Sequence, residues 1–311
     1  MKKLIKIINF ILGFASFFAC LGCAGDNASP VTIDSSVYSK ASPRDNSPKV
    51  LVPESGNDIS KNDVVALDYS YASDGYVTIS YLGDNNKVKL QIIKEDGYTQ
   101  TYNLSGEDNV FSLTQGNGLY TFTVYEHAFE DEYYTSFEDS LNIELEDEFA
   151  PFLYPNNMVS FNAASKSVAT AAELTANCTY ELDAISAIYH FVIDTLTYDD
   201  TMAVTIDNTY IPDSDMVLEK KSGICQDYAV LTACMLRSQG IPTKVIVGYA
   251  DDACHEWISV YTKDTGWIDK FIEFNGKDYS LMDPTFADNL GNSSLKKYIG
   301  AGEHYTVKYT Y

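Results

Sequence analysis

The stretch that decides the fold reads Gly223-Ile224-Cys225-Gln226-Asp227-Tyr228-Ala229, and His255-Glu256-Trp257 and Met282-Asp283-Pro284-Thr285 follow it. Cys225 lies between a glycine-containing turn and an amphipathic run, which predicts a position at a helix N-terminus. The unpaired N–H groups there favour a thiolate. A histidine would activate the thiol, and a carboxylate would fix the histidine's tautomer. One cysteine alone is more often a small buried apolar residue, but the ordered set predicts Cys225, His255 and Asp283 as nucleophile, base and orienting group.

The strands after the nucleophile helix indicate how these residues meet. Residues 255–261 read as the second strand of a hairpin. Alternate residues of a strand share a face, so Trp257 lies with His255 and Glu256 lies on the other face. Asp283 has the position of the last residue of a third strand. We expect His255 and Asp283 on neighbouring strands, opposite the start of the nucleophile helix.

The helices have clear boundaries in the sequence. The nucleophile helix runs to about Ser238, where Gly240 supplies a cap and Pro242 prevents continuation. Residues 163–177 read as an earlier helix, and a single apolar stripe predicts a second one that ends before Tyr198.

These motifs resemble those of the transglutaminase-like superfamily. Residues 221–248 resemble its nucleophile helix and following strand, residues 255–257 its His-x-Trp strand, and Trp267 with residues 282–285 its Trp…Asp-Pro-Thr segment. Residues 188–199 are similar to the helix and Tyr-Asp pair that precede the core. The resemblance covers about residues 150–311. The chain departs from the pattern at residues 269–280, which lengthen the usual short hairpin before Asp283.

The resemblance implies a papain-like α+β domain of helices packed on an antiparallel sheet. It implies a thioester formed at Cys225 from an amide substrate and resolved by water or by an amine. It also implies a substrate pocket near Tyr198, Gln226 and Trp257. The superfamily includes members that have lost catalysis, so the alternative is a catalytically silent surface binding or assembly protein with the same fold.

Composition excludes several function classes. The 311 residues include 21 basic and 44 acidic ones, a formal net charge of −23, which makes nucleic acid a poor partner. No Asp-x-Asp-x-Asp-Gly loop is present, and the four histidines lack paired metal-ligand spacing. We therefore predict neither a metal site nor a cofactor.

The N-terminus resembles an export signal. Basic residues precede an apolar run from Ile7 to Leu21 that is too short to predict a membrane span. The run ends at Cys20 and Cys23, and the Gly and Ala that flank Cys23 make it the better candidate for lipoprotein-type processing. We expect a bacterial protein that is lipid-anchored at the cell surface, or a secreted protein if the signal is an ordinary cleaved one.

Four further cysteines follow the N-terminal pair. If Cys225 is the nucleophile, Cys178, Cys234 and Cys254 are an odd number, so at least one of them stays free. We interpret Cys254 first as a packing residue, and only secondarily as a disulfide partner of Cys178 or Cys234.

The chain divides into four predicted segments. Residues 1–23 are the signal peptide, and the polar residues 24–62 lack a hydrophobic period and predict a disordered tether. Residues 63–150 contain alternating segments separated by turn residues, which predict an immunoglobulin-like β-sandwich. Residues 151–311 form the predicted catalytic domain.

The leading hypothesis is an exported thiol enzyme that acts on amide bonds of protein or cell-wall peptide. Hydrolysis is slightly favoured over crosslinking, because water is abundant outside a cell. The membrane is a partner only through the lipid anchor, and the sequence does not predict an oligomeric state.

Overall fold

The computed structural model describes residues 4–6, 43–207, 209–250, 253–269, 272–274, 279–281 and 305–311. These residues form two compact units. Unit 1 contains residues 4–6 and 52–157, and unit 2 contains residues 43–51 and those from 158 onward. The division falls after Asn157, a few residues beyond the boundary expected at residue 150.

Unit 1 consists of two antiparallel sheets. One has the strand order β2-β3-β4-β7 and the other β1-β9-β8-β5-β6. The strands are β1 Leu4–Lys6, β2 Ile59–Lys61, β3 Val65–Asp68, β4 Tyr76–Tyr81, β5 Val88–Lys94, β6 Thr99–Leu104, β7 Asn109–Ser112, β8 Gly118–Phe129 and β9 Glu132–Ile143. Two short 3-10 helices, Ala72–Asp74 and Ala150–Phe152, accompany them.

The alternation seen in the sequence explains the strands of unit 1. Along β5, Val88, Leu90 and Ile92 are buried while the residues between them are partly exposed, as expected for a strand with one face in a core. Between the two sheets, the rings of Tyr102 and Phe111 pack at 4.8 Å. The prediction of antiparallel strands in this part of the chain is therefore confirmed, although β9 begins well before the predicted segment 141–145.

Unit 2 combines helices with an antiparallel sheet of order β14-β13-β12-β17. Two short pairs accompany this sheet, β10 with β11 in parallel and β15 with β16 antiparallel. The helices are α1 Lys166–Thr175, α2 Glu181–Thr195, α3 Asp200–Thr205, α4 Ser214–Lys220 and α5 Cys225–Arg237. The strands are β10 Thr197–Tyr198, β11 Ser222–Gly223, β12 Thr243–Ala250, β13 Ala253–Thr262, β14 Gly266–Asp269, β15 Ile272–Phe274, β16 Tyr279–Leu281 and β17 Tyr305–Thr310.

Helix α5 forms the centre of unit 2. It packs against β12 and β13 on one side and against α1, α2 and α4 on the others. Its C-terminal end closes as predicted: Gly240 has a φ of 72°, and the N–H of Ile241 bonds to the carbonyl of Leu236. The predicted arrangement of helices on an antiparallel sheet is confirmed.

A buried arginine ties the end of α5 to the sheet. The Arg237 side chain is fully buried and donates to the carbonyls of Thr243 at 3.0 Å and Tyr311 at 2.9 Å. Burial lowers the pKa of Arg237 to about 10. The guanidinium therefore joins the helix end, the start of β12 and the residue after β17.

Part of the predicted tether is ordered. The N–H of Lys49 bonds to the carbonyl of Ser238, and the N–H of Arg44 bonds to that of Thr179. Within unit 1, Ile59–Lys61 is strand β2. The tether prediction is therefore wrong for residues 43–62, whose backbone groups find partners although few of their side chains are apolar. Residues 24–42 lie outside the described residues.

The N-terminal predictions are tested only slightly. Leu4–Lys6, inside the predicted signal peptide, pairs with β9. Cys20 and Cys23 lie outside the described residues. Within the described parts of the chain, no helix is both long enough and apolar enough to cross a membrane. The signal peptide and the lipid anchor stay predictions.

Candidate active site

Cys225 is the first residue of α5, as its local sequence predicts. Ile224 before it is extended, with φ −106° and ψ 179°, so the helix begins abruptly at the cysteine. Cys225 is 3% exposed. The side chain of Asp227 accepts the N–H of Ile224 at 2.7 Å, which satisfies one of the unpaired donors at the helix start.

A close backbone approach fixes the turn before the nucleophile. A Cβ on Gly223 would lie 2.5 Å from the Cβ of Asp227, so only glycine fits there. Gly223 also pairs in parallel with Tyr198 through β10 and β11, and its carbonyl accepts the N–H of Asp199 at 2.9 Å. The structure thus places Tyr198 beside the nucleophile turn, and its ring lies 6.4 Å from that of Tyr228.

Tyr210 holds the first turn of α5 and was missed by sequence reasoning. Its hydroxyl donates to Asp227 Oδ1 at 2.5 Å, and its carbonyl accepts Gln226 Nε2 at 3.3 Å. Burial raises the pKa of Asp227, and burial with the bond to Asp227 raises that of Tyr210. Tyr210 lies in the loop between α3 and α4, where no sequence pattern indicates a contact with the helix start.

The thiol of Cys225 is hydrogen-bonded to a carboxylate. Its Sγ donates to Glu256 Oε2 at 2.7 Å, and Glu256 is only 7% exposed. Glu256 lies on β13 in alternation with Ile258 and Val260, which belong to the core around α5. The face of β13 that meets the nucleophile helix is therefore the Glu256 face, and our expectation of the His255 face is wrong.

His255 and Trp257 lie together on the other face of β13. Both are buried, and their rings are stacked with centroids 6.2 Å apart. The described structure brings Cys225 to Glu256, while Asp283 lies outside the described residues. The triad of Cys225, His255 and Asp283 therefore stays a prediction.

The charges around Cys225 oppose the helix dipole. A helix N-terminus stabilises an anion by about 0.3–1 kcal/mol. Two like unit charges 4 Å apart repel by about 4 kcal/mol at an effective dielectric constant of 20. Because the Glu256 carboxylate lies in direct contact with Cys225 Sγ, an ionised Glu256 outweighs the dipole and favours the thiol form of Cys225.

The other described cysteines are free thiols that are buried or partly buried. Cys178, Cys234 and Cys254 form no disulfide. Burial raises the pKa of Cys234 to about 12, and burial with the charge of Glu256 raises that of Cys254 to about 12. These three cysteines are protonated at neutral pH, and their described contacts are those of packing residues.

Residues 168–269 match the family model of the transglutaminase-like superfamily. This range includes Cys225, Glu256, His255 and Trp257, and it confirms the resemblance found in the motifs. A comparison with curated proteins gave no significant match.

Several solved structures are similar at low identity. A protein of Cytophaga hutchinsonii is 11% identical, with a TM-score of 0.37, over 83% of this chain and 74% of that one. The periplasmic domain of TgpA from Pseudomonas aeruginosa is 15% identical, with a TM-score of 0.31, over 76% of each chain. Red sea bream transglutaminase is 13% identical, with a TM-score of 0.29, over 68% of this chain and 48% of that one.

Proposed function

We propose that the transglutaminase-like domain of this chain is a thiol enzyme that forms a thioester at Cys225 from an amide substrate. The single observation that supports this most is the position of Cys225, buried at the first residue of the central helix, within a range that matches the superfamily. Helix N-termini are where catalytic thiols are commonly activated.

The proposed roles follow from the chemistry. Cys225 attacks the amide carbon, and the backbone N–H of Cys225 helps to bind the oxyanion. His255 takes the thiol proton and returns it to the leaving nitrogen, and Asp283 orients His255. This proposal requires His255 to reach the thiol that Glu256 now holds. The pairing of Tyr198 with Gly223 and the contact of Gln226 with Tyr210 support a pocket wall near the nucleophile.

The acceptor of the acyl group defines the reaction. Water gives an amidase or protease, and an amine gives a crosslink. We favour hydrolysis of protein or cell-wall peptide by an exported enzyme, anchored at Cys23 or Cys20 or secreted. The acidic composition agrees with this location, since net charge keeps an exported protein soluble.

The first test replaces the nucleophile. Cys225→Ala should reduce turnover of glutamine-containing peptides and wall peptides by at least about a thousandfold, since covalent catalysis through the thiol is lost. Ammonia release and amine incorporation should be measured separately, and mass spectrometry should detect an acyl adduct on Cys225. Cys178→Ala is the matched control, because this half-buried cysteine lies elsewhere in unit 2. Full activity in Cys225→Ala would exclude the proposal.

One observation favours the alternative of a silent binding or assembly protein. A thiol that donates to a buried carboxylate is a weak nucleophile. If the chain is silent, a thiol-directed electrophile should react with Cys225 no faster than with Cys178 in the presence of any candidate substrate. A substrate-dependent rise at Cys225 alone would favour the enzyme.

We also propose that unit 1 is an immunoglobulin-like sandwich that is not required for the chemistry at Cys225. The support is the strand order. Apart from the edge strands β1 and β2, one sheet has the order β3-β4-β7 and the other the order β6-β5-β8-β9. Strands that follow one another in the sequence are thus divided between two sheets, as in immunoglobulin-like sandwiches. Removing unit 1 and joining residues 51 and 158 with a flexible linker should leave turnover of a soluble peptide unchanged. Lost turnover in a folded protein would show that the chemistry depends on unit 1.

A further inference from the structure

The contact between Cys225 and Glu256 joins two elements distant in sequence at the centre of the candidate site. Cys225 Sγ and Glu256 Oε2 are 2.7 Å apart, and both residues are buried. A hydrogen bond at this distance requires one proton between the two groups. Because carboxyl groups are ordinarily far more acidic than thiols, the proton belongs to sulfur, and the bond forms between a neutral thiol and an ionised carboxylate.

Several ionisable groups of the described residues lie around the pair. Helix α5 contributes Asp227 next to the nucleophile turn, with Lys220 of α4 acting on it. The same face of β13 contributes Cys254, whose pKa is raised by the charge of Glu256 and lowered by that of Lys308 on β17. Strand β12 places apolar Val247 opposite Glu256 and Tyr249 opposite Cys254. The charged groups that the described elements bring near this pair are therefore Asp227, Lys220 and Lys308.

We propose that Glu256 is a positioning residue that controls the ionisation of Cys225. While its carboxylate is charged and in contact, the cysteine keeps its proton and its sulfur is held toward β13. The thiolate forms only when Glu256 is neutralised or displaced, and the thiol proton then passes to a base other than Glu256. A substrate that separates the two side chains would therefore activate the nucleophile, and free enzyme would be protected from oxidation and unwanted acylation.

This inference rests on the proposed function only for the role of Cys225. Its test measures alkylation and needs no substrate, so its failure is distinguishable from failure of the proposed function, which is measured by turnover and by the acyl adduct.

The test compares iodoacetamide labelling of Cys225 in the full chain and in Glu256→Gln between pH 6 and 10, read by peptide mass spectrometry. The amide keeps the shape of the side chain and removes its charge. If Glu256→Gln lowers the midpoint of the labelling profile by about two pH units, the thiolate fraction of Cys225 at pH 7 rises about a hundredfold. A more acidic thiol gives a weaker nucleophile, which reduces this gain in rate about tenfold. We expect labelling about ten times faster at pH 7.

The control is Glu126→Gln in unit 1. Glu126 is equally buried and accepts a hydrogen bond from Tyr81 at 2.6 Å, but it has no described contact with a thiol. The labelling profile of Cys225 in Glu126→Gln should equal that in the unaltered chain. Cys234 of the same protein is an internal reference for a buried thiol that does not react.

Two results would overturn the proposal. One is an unchanged or slower rate in folded Glu256→Gln, which would assign Glu256 a purely structural role or a role as base. The other needs no variant: in the unaltered chain, labelling of Cys225 should rise only above about pH 8.5, the ordinary thiol value. A rise centred near pH 7 or below would show that the carboxylate does not suppress ionisation, even if Glu256→Gln fails to fold.

Discussion

The two ends of helix α5 each bury a cysteine, and the two cysteines have different partners. At the N-terminal end, Cys225 donates to the side-chain carboxylate of Glu256 on the neighbouring sheet. Nearer the C-terminal end, Cys234 is fully buried and its Sγ lies 3.5 Å from the backbone carbonyl of Ser160. A backbone carbonyl does not titrate, whereas a carboxylate does. Both cysteines are buried, so burial does not distinguish them. What distinguishes Cys225 is that its hydrogen-bond partner can change its charge, and with it the ionisation of the thiol.

The rest of each end agrees with this distinction. Around Cys225, Asp227 and Tyr210 form a further short hydrogen bond between ionisable groups. Near Cys234, Arg237 donates to the backbone carbonyls of Thr243 and Tyr311. We therefore expect changes at the C-terminal end to affect stability, and changes at the N-terminal end to affect protonation as well.

The largest stability effect is expected from Arg237→Met. The methionine fills part of the volume but removes the donors to the buried carbonyl of Thr243 and the partly buried carbonyl of Tyr311, and each hydrogen bond from a charged group contributes about 1.5–3 kcal/mol. The free energy of unfolding in urea should fall by about 3 kcal/mol or more. Lys220→Met, at the end of α4, should change it by less than about 0.5 kcal/mol. A small change in Arg237→Met would show that the C-terminal end of α5 does not depend on this bond network.

A smaller effect is expected from Tyr210→Phe. The variant removes the donor to Asp227 Oδ1, and a hydrogen bond to a charged group contributes about 1.5–3 kcal/mol. Burial raises the pKa of Asp227 in the native state above its value in the unfolded chain. The native state therefore favours the protonated carboxyl, and the free energy of unfolding falls as pH rises through the native pKa. Because the bond to Tyr210 offsets that fall, the loss should be larger at pH 7 than below about pH 4.

The control for Tyr210 is another tyrosine that donates to a carboxylate. Tyr71 bonds to Glu54 at 3.0 Å, but this pair is exposed. Tyr71→Phe should change the free energy of unfolding by less than about 0.5 kcal/mol at either pH. Equal losses of unfolding free energy in Tyr210→Phe and Tyr71→Phe would show that burial does not strengthen the hydrogen bond to Asp227. The distinction between the two ends of α5 would then disappear.

The smallest effect concerns alkaline stability. The native pKa of Cys234 is raised by burial to about 12, above its value in the unfolded chain, so its contribution is fully present below about pH 9 and is lost as pH rises toward 12. Cys234→Ala should reduce the slope of unfolding free energy against pH in this window by up to about 1.4 kcal/mol per pH unit. Cys178→Ala should reduce it less, because Cys178 is only partly buried. An unchanged slope in Cys234→Ala would mean that this thiol is not protected by burial.

Local sequence signals predicted the ends of several elements well. Strand β4 covers the predicted Tyr76–Tyr81, and α5 begins at Cys225 and closes at Gly240 as its turn and cap residues indicate. These features depend on neighbouring residues alone. The first half of β9 was missed, because Glu132 to Ser140 does not alternate between apolar and polar residues along its whole length.

The site was harder to predict, since it depends on contacts between distant residues. Cys225 was found because helix N-termini leave a local signature. Glu256 was overlooked because Ile258 and Trp257 are both large and apolar, so the pattern of β13 does not show which face meets α5. A glutamate between buried strand residues was the signal that could have identified it, because charged residues are rarely buried without a partner.

The bonds of residues 43–51 to unit 2 have a consequence for synthesis of the chain. Because this segment belongs to unit 2, residues 52–157 of unit 1 are inserted between two parts of unit 2. During translation residues 52–157 can fold first. The N–H of Lys49 can form its bond to the carbonyl of Ser238 only after Ser238 has left the ribosome. An expression clone that begins at residue 158 would therefore lack a part of the domain that it is meant to isolate.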